Sequence, residues 1–151
     1  MNRFGVEVTL KHSPKLDPGY IPLYKFNQAF LKDAKQPIGL AVERSCGEMA
    51  VCETFIHGTP EMREADCYYV NRLIKTILWM KGGFKIYVRG SEDIRAYLQE
   101  AYSAGGCQEF DWDYMANVFE HPFEVVSCDK LPEAKDSPKA IGRHLDGCRI
   151  G

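Results

Sequence analysis

The sequence predicts an α/β fold in which helices pack on a mixed β-sheet, and two observations support this prediction. Short runs rich in Val and Ile alternate along the chain with longer segments whose apolar residues recur at helical spacing. A glycine-centred turn joins the first two runs, whereas helices separate the later runs and provide crossover connections. We therefore expect an opening β-hairpin followed by β-α-β crossovers.

The bulk composition is that of one folded domain. The chain has 151 residues, of which 45% are hydrophobic and 26% are charged, close to the averages of globular domains. Its net charge of −2 argues against a general nucleic-acid surface, since such binding needs a concentrated excess of Lys and Arg. No apolar run reaches the length that spans a bilayer, and the first residues lack the pattern of a signal peptide. We therefore expect a cytoplasmic protein with no nucleic-acid and no membrane partner.

Residues 1–37 are predicted to form an irregular N-terminal arm. The stretch FGVEVTL alternates apolar and polar residues and predicts a short strand over 4–10. Three prolines and a glycine then indicate extended or turning chain. The stretch KFNQAFLKDAK predicts a short helix over 25–35, and Pro37 helps to end it.

Residues 38–129 are predicted to form the α/β core, which opens with the hairpin. We expect its strands over 38–44 and 49–57, joined by a turn in which Gly47 supplies a positive φ. Apolar residues occur on both faces of this hairpin. We therefore expect the hairpin to be covered on much of both sides.

The longest predicted helix spans about 61–81. Thr59 is a natural N-cap residue, and Pro60 suits the first helical position. Gly82 and Gly83 follow the last turn and provide a C-terminal stop. Between these ends, apolar residues recur at helical spacing and predict one buried helix face.

The rest of the core alternates between strands and helices. We expect a strand over 84–90, a helix over 92–103, a helix over 110–121 and a strand over 123–129. Ser91 is expected to cap the first of these helices, and Asp111 is a candidate cap for the second.

Residues 130–151 are predicted to be a polar, proline-bearing linker that ends in the first strand of a further domain. Arg143, His144 and Asp146 crowd together in this linker. If the linker docks on a second domain, these three residues would make interdomain contacts; otherwise they are ordinary surface chain.

Few residues have the spacing that catalysis or metal binding needs. The stretch VRGSED (88–93) forms a strand-to-helix turn of the kind that can hold an anion, although a plain Ser91 cap is the simpler interpretation. The two glycines of KGGFK (81–85) follow a helix and indicate a C-cap. Asp111 and Asp113 would share a proton or bind a cation if they faced each other, but capping explains both. We assign no catalytic, cofactor-binding or metal-binding residue.

The six cysteines are expected to be free thiols. No C-x-x-C pair occurs, and no His lies at zinc spacing from a Cys pair. Cys52, Cys67 and Cys128 fall inside apolar patterns, where Cys acts as a small hydrophobic residue. The even count leaves disulfides or a metal site open as alternatives.

The stretches GRHLDGCRIG (142–151) and LIKTILWMKGGFKIYVRG (73–90) resemble parts of large proteins of the ROK family. This is the repressor, open-reading-frame and kinase family of the sugar-kinase and actin-like ATPase superfamily. Shorter similar stretches are PLYKFN (22–27), GLAVERS (39–45) and HPFEVV (121–126). In such proteins the equivalent of HLDGCRIG runs straight into an aspartate- and glycine-rich phosphate-binding loop. The resemblance therefore implies that CRIG is the first strand of an ATPase domain.

The resemblance implies that this chain is a non-catalytic N-terminal accessory domain of a ROK-type sugar-kinase-like protein, which shapes the cleft or mediates assembly. ATP and Mg²⁺ are implied only for the ATPase domain that would follow, which is the expected partner. A homo-oligomer is a further possibility. The catalytic aspartates, the zinc cluster and the winged helix-turn-helix of the family have no counterparts here.

Two alternative functions remain open. The chain is either a sugar- or nucleotide-binding enzyme domain in its own right, or a regulatory module of a transcriptional regulator. The predicted element order also resembles half of a ribonuclease-H-like, actin-like ATPase fold without its phosphate loops. The chain is therefore a candidate degenerate half of that fold.

Overall fold

The computed structural model describes residues 2–12 and 14–133, apart from the side chain of Cys46. Within these residues the chain has a mixed α/β fold. The elements are β1 (Asn2–Arg3), β2 (Val6–Glu7), α1 (Leu23–Asp33), β3 (Gln36–Glu43), β4 (Met49–Ile56), α2 (Arg63–Met80), β5 (Lys85–Arg89), α3 (Glu92–Ala101), α4 (Glu109–Phe119) and β6 (Glu124–Ser127). None of these helices combines the length and the apolar character needed to cross a membrane.

The main sheet has the strand order β4-β3-β5-β6. β3 pairs antiparallel with β4 and with β5, and β5 pairs parallel with β6. β4 and β5 therefore run in the same direction on either side of β3, and α2 forms the crossover between them. The connection through α3 and α4 links the adjacent parallel strands β5 and β6. The predicted opening hairpin, mixed sheet and β-α-β crossovers are confirmed.

The N-terminal arm is more folded than the sequence indicates. Instead of one strand over 4–10, residues 2–7 form the small hairpin β1–β2, which turns at Phe4 and Gly5 with positive φ angles of 53° and 87°. Gly5 permits this turn, and a Cβ there would lie 3.3 Å from the sulfur of Met62. The predicted single strand is wrong because this turn reverses the chain.

Helix ends follow local sequence signals closely. α1 starts directly after Pro22, two residues before the predicted start. A short 3₁₀ turn, Pro60–Met62, leads into α2, and Thr59 makes no side-chain capping bond. The Ser91 hydroxyl oxygen accepts a hydrogen bond from the Ile94 backbone N–H at 3.2 Å, which confirms the predicted cap of α3.

Asp111 does not cap α4, contrary to the prediction. The helix begins at Glu109, with Gln108 at the N-cap position. Asp111 therefore lies in the first turn of the helix and not at its N-cap. There its side chain is buried, and Oδ2 lies 3.2 Å from Nζ of Lys75 on α2. The local pattern suggested a cap, but a cation on a distant helix binds this carboxylate instead.

The helices cover one face of the main sheet. Ile38, Leu40 and Val42 of β3 are buried in the core cluster together with apolar residues of all four helices. On the same face, the Thr54 hydroxyl of β4 lies 2.7 Å from the Tyr69 hydroxyl of α2. This continuous core fixes the helix layer on the sheet.

No described helix covers the other face of the sheet, which we call the open face. It is formed by the alternate residues of the strands, among them Gly39, Ala41, Val51, Glu53, Phe55, Lys85, Tyr87 and Arg89. Ala41 is fully buried there without joining the core cluster, since neighbouring strands enclose its small side chain. The expectation that the hairpin is covered on both sides is therefore wrong for the larger side chains, and Phe55 is 47% exposed.

Alanine at Gly90 is expected to destabilise the fold more than alanine at Gly105. Both glycines have positive φ, so each substitution costs roughly 1–2 kcal/mol in backbone strain. A Cβ at Gly90 would also lie 2.8 Å from the Pro37 carbonyl oxygen, whereas one at Gly105 meets nothing within 4 Å. Urea unfolding should therefore show an additional loss of about 1–3 kcal/mol for Gly90→Ala. Equal losses for the two variants would contradict the close packing of β5 against β3.

Candidate functional site

A crevice opens where the parallel strands β4 and β5 end, the place where α/β proteins commonly bind ligands. β4 ends at Ile56 and β5 ends at Arg89, and the loops that follow lead into α2 and α3. Gln36, at the start of the antiparallel strand β3, lies between these loops. The resulting strand-end crevice has a volume of about 260 Å³.

Asp66 holds the loop that follows β4. Its side chain is only 3% exposed. Oδ1 accepts the backbone N–H of His57 and Oδ2 accepts that of Gly58, each at 2.9 Å. Two charge-assisted bonds to consecutive N–H groups fasten this loop to the first turns of α2. Asp66 has no distinctive signal in the sequence, because an acidic residue in the first turn of a helix is ordinary there.

The other polar groups of the crevice also bind one another. Nε of Arg63 lies 3.0 Å from Oδ2 and 3.2 Å from Oδ1 of Asp93, and both side chains are more than half exposed. Nε2 of Gln36 donates to the Gly90 carbonyl oxygen at 3.1 Å. Because the Ser91 hydroxyl accepts the Ile94 N–H, this donor is not available to an anion at VRGSED. Two carboxylates facing the crevice further disfavour a phosphate group.

The remaining candidate residues are separated by the fold. Asp111 is buried against Lys75, whereas Asp113 is exposed. The two carboxylates therefore do not face each other and cannot share a proton or a cation. Lys81 closes α2 by donating its N–H to the Ile77 carbonyl, and Gly82 follows with φ of 80°, so KGGFK is a helix stop as predicted.

His57 and Cys67 serve packing in the described part of the chain, whereas Cys107 is exposed. The His57 ring lies edge-on to Phe30, and its Nε2 lies 2.9 Å from the Phe30 carbonyl oxygen. Cys52, Cys67, Cys107 and Cys128 are free thiols. Burial raises the pKa of the Cys67 thiol to about 11, so it stays protonated and unreactive at neutral pH. Among residues 2–12 and 14–133, no group of three His, Cys, Asp or Glu side chains could hold a metal ion.

Arg143, His144 and Asp146, the predicted interdomain contacts, lie outside the described residues.

The residues that follow β6 show where the chain leaves the sheet. After β6 it crosses to the open face, where Leu131 lies directly over Gly39. A Cβ at Gly39 would come within 2.4 Å of the Leu131 Cδ1, so the leucine side chain packs closely against the strand at this glycine.

Charged and apolar groups share the open face. The Tyr87 hydroxyl donates to Oε1 of Glu43 at 2.6 Å, and burial, followed by this carboxylate, raises the pKa of that hydroxyl. Nη1 of Arg89 lies 3.2 Å from Oε1 of Glu53 on the edge strand. Between these pairs, Val51 is only half-buried. The open face therefore combines a half-buried valine with one compensated ion pair and a carboxylate bonded to a tyrosine hydroxyl.

Comparison of the chain with protein-family models, with curated proteins and with solved structures finds no match. The resemblance to ROK proteins and the kinship with a ribonuclease-H-like half therefore remain predictions.

Asp66→Ala is expected to destabilise the protein far more than Asp93→Ala. Removing the buried Asp66 carboxylate leaves two N–H groups without their acceptor, at a cost of about 3 kcal/mol in the free energy of unfolding. Asp93 is exposed with Arg63, so its loss should cost at most about 1 kcal/mol. Chemical denaturation measures both, and similar costs would contradict the structural role of Asp66.

Proposed function

We propose that this chain is a non-catalytic accessory domain that acts through protein contacts and docks a neighbouring domain on its open face. One observation carries this proposal: the helices of residues 2–12 and 14–133 cover a single face of the sheet, and the chain leaves the sheet across the other face at Leu131. Mixed and parallel sheets usually have layers on both faces. A domain attached after Leu131 starts from the face that no described helix covers.

The chemistry of the open face suits contact between domains. Interdomain interfaces are more polar than permanent subunit interfaces and combine apolar strips with paired charges. The open face has half-buried Val51 and exposed Phe55 beside the pair formed by Arg89 and Glu53. Such pairs remain compensated whether the partner is docked or released, so docking need not bury a lone charge.

The resemblance to ROK proteins suggests the identity of the partner, an ATPase domain that binds ATP and Mg²⁺. On this proposal the segment with Arg143, His144 and Asp146 supplies interdomain contacts between the two domains. The accessory domain would then shape the sugar cleft or mediate assembly, with the phosphate chemistry located entirely in its partner.

The strand-end crevice favours a second candidate function, a sugar- or nucleotide-binding domain in its own right. Its position is suitable, but Asp66, Arg63 and Asp93 already use their polar groups within the fold. A ligand would have to break these bonds or add to them. We therefore rank this candidate second.

Val51→Lys is expected to weaken docking of a separately expressed ROK-type ATPase domain by at least about 10-fold, because the lysine ammonium would be desolvated beneath the docked domain. Leu31→Lys introduces the same charge on the exposed side of α1, outside the open face, and serves as the control. Titration calorimetry measures both affinities, and thermal melting checks that each variant is folded. Unchanged affinity for Val51→Lys would exclude the open face as the docking surface.

ATP with Mg²⁺ and simple hexoses are expected to leave the melting temperature of the 151-residue chain unchanged. A ligand at 100 times its Kd would stabilise the native state by about 2.7 kcal/mol. For a chain of this size, that corresponds to a shift of several degrees. A dose-dependent rise with any of these compounds would favour the second candidate, and Arg63→Ala should then abolish the shift.

A further inference from the structure

A second surface that no other described element covers lies on the helix layer. It consists of Trp79 near the end of α2 with Phe110, Tyr114 and Val118 along α4, and we call it the aromatic stripe. Their exposed fractions are 48%, 69%, 45% and 55%. The three α4 residues follow one another at intervals of four, so they form a single row on that helix.

The three rings form a nearly parallel array. The Trp79 ring lies 5.5 Å from that of Tyr114, and the Phe110 ring lies 5.9 Å from that of Tyr114, with interplanar angles of 28° and 16°. Trp79 and Phe110 are 6.4 Å apart at 12°. Aromatic groups that hold one another in a fixed arrangement need little ordering when a partner binds.

Attachment of α4 to the core does not explain the aromatic stripe. α4 is anchored by a different side of the helix, through the buried residues Asp111 and Met115. Asp111 binds Lys75 of α2, and Nζ of the same lysine also lies 3.1 Å from Oε1 of Gln108. The row at Phe110, Tyr114 and Val118 therefore exposes apolar area beyond what folding requires, which is typical of a binding surface.

Acidic side chains flank the aromatic stripe on its α4 side. The stretch 109–120 contains Glu109, Asp111, Asp113 and Glu120 and neither Lys nor Arg. Lys75 is paired with Asp111, so it does not neutralise the others. Asp113 and Glu120, together with Glu109, whose carboxylate accepts the Gly105 N–H, thus give the stripe a negative rim on its α4 side. Such a rim repels a second copy of the same surface and an anionic membrane, and it attracts a cationic partner.

We propose that the aromatic stripe binds a basic amphipathic helix of a partner protein. Apolar side chains at four-residue spacing would lie along Phe110, Tyr114 and Val118, as in other complexes that seat a helix on an apolar surface. Lys or Arg side chains on its flanks would reach the acidic rim and the faces of the rings. This partner is distinct from the domain proposed for the open face, and both surfaces can be occupied at once.

The test uses two labelled helical peptides with the same apolar row, one flanked by lysines and the other by glutamates. Fluorescence anisotropy measures binding of each peptide to the full 151-residue chain. We expect the lysine peptide to bind at least about 10-fold more tightly and to lose affinity as salt concentration rises. Equal affinity for both peptides, or no binding of either, would overturn the proposal.

Two pairs of variants locate the binding surface. Tyr114→Ser should reduce affinity for the lysine peptide at least about 10-fold, whereas Tyr24→Ser, at a tyrosine that is 61% exposed on α1, should not. Asp113→Lys should weaken the lysine peptide and strengthen the glutamate peptide, a reversal that unfolding cannot produce. Sedimentation equilibrium provides the remaining check. A dimer that Tyr114→Ser dissociates would identify a second copy as the occupant and refute the basic helix.

Discussion

The architecture depends on β3, which pairs on both of its edges. Its partners are β4 over eight residues and β5 over five, and both pairings are antiparallel. One face of β3 supplies Ile38, Leu40 and Val42 to the core beneath the helices, and the other has only Gly39 and Ala41 at its centre. Because β3 has large side chains on just one face, the helices pack on that face. On the opposite face, the small residues leave room for the side chain of Leu131.

The positions of the strand-end crevice and the open face follow from that pairing. With β3 antiparallel between them, β4 and β5 end at the same edge, and their loops enter α2 and α3 side by side. The crevice between these loops is rich in polar groups, but Asp66, Ser91 and Gln36 fasten the loops to the helices and to each other. The position of the crevice in the α/β fold suggests a ligand site. The hydrogen bonds of these three residues show instead that they stabilise the fold.

The two exposed surfaces differ in electrostatic character, and this difference separates their proposed partners. The open face has two ion pairs, Arg89 with Glu53 and Lys85 with Glu124. Because these charges compensate each other, the electrostatic potential that a docking domain encounters there is small. Around the aromatic stripe, Glu109, Asp113 and Glu120 have no cation near them on α4. A neutral, mixed surface suits a covalently tethered neighbour at high local concentration, while an uncompensated acidic rim selects a partner by charge.

Local sequence determined the strands, the four principal helices and several of their ends. Apolar periodicity, the Ser91 cap and the stop at Gly82 act within a few residues, so a short window contains the information. Only tertiary structure decided that β5 pairs antiparallel with β3, that residues 2–7 turn back on themselves, and that Asp111 meets Lys75 rather than capping α4. The same holds for the candidate sites, since Asp66 and the row of Phe110, Tyr114 and Val118 look ordinary in sequence. Burial and strand pairing depend on residues that are far apart along the chain. For a helix such as α4, which has apolar residues on more than one side, no local pattern specifies which side will be buried in the core.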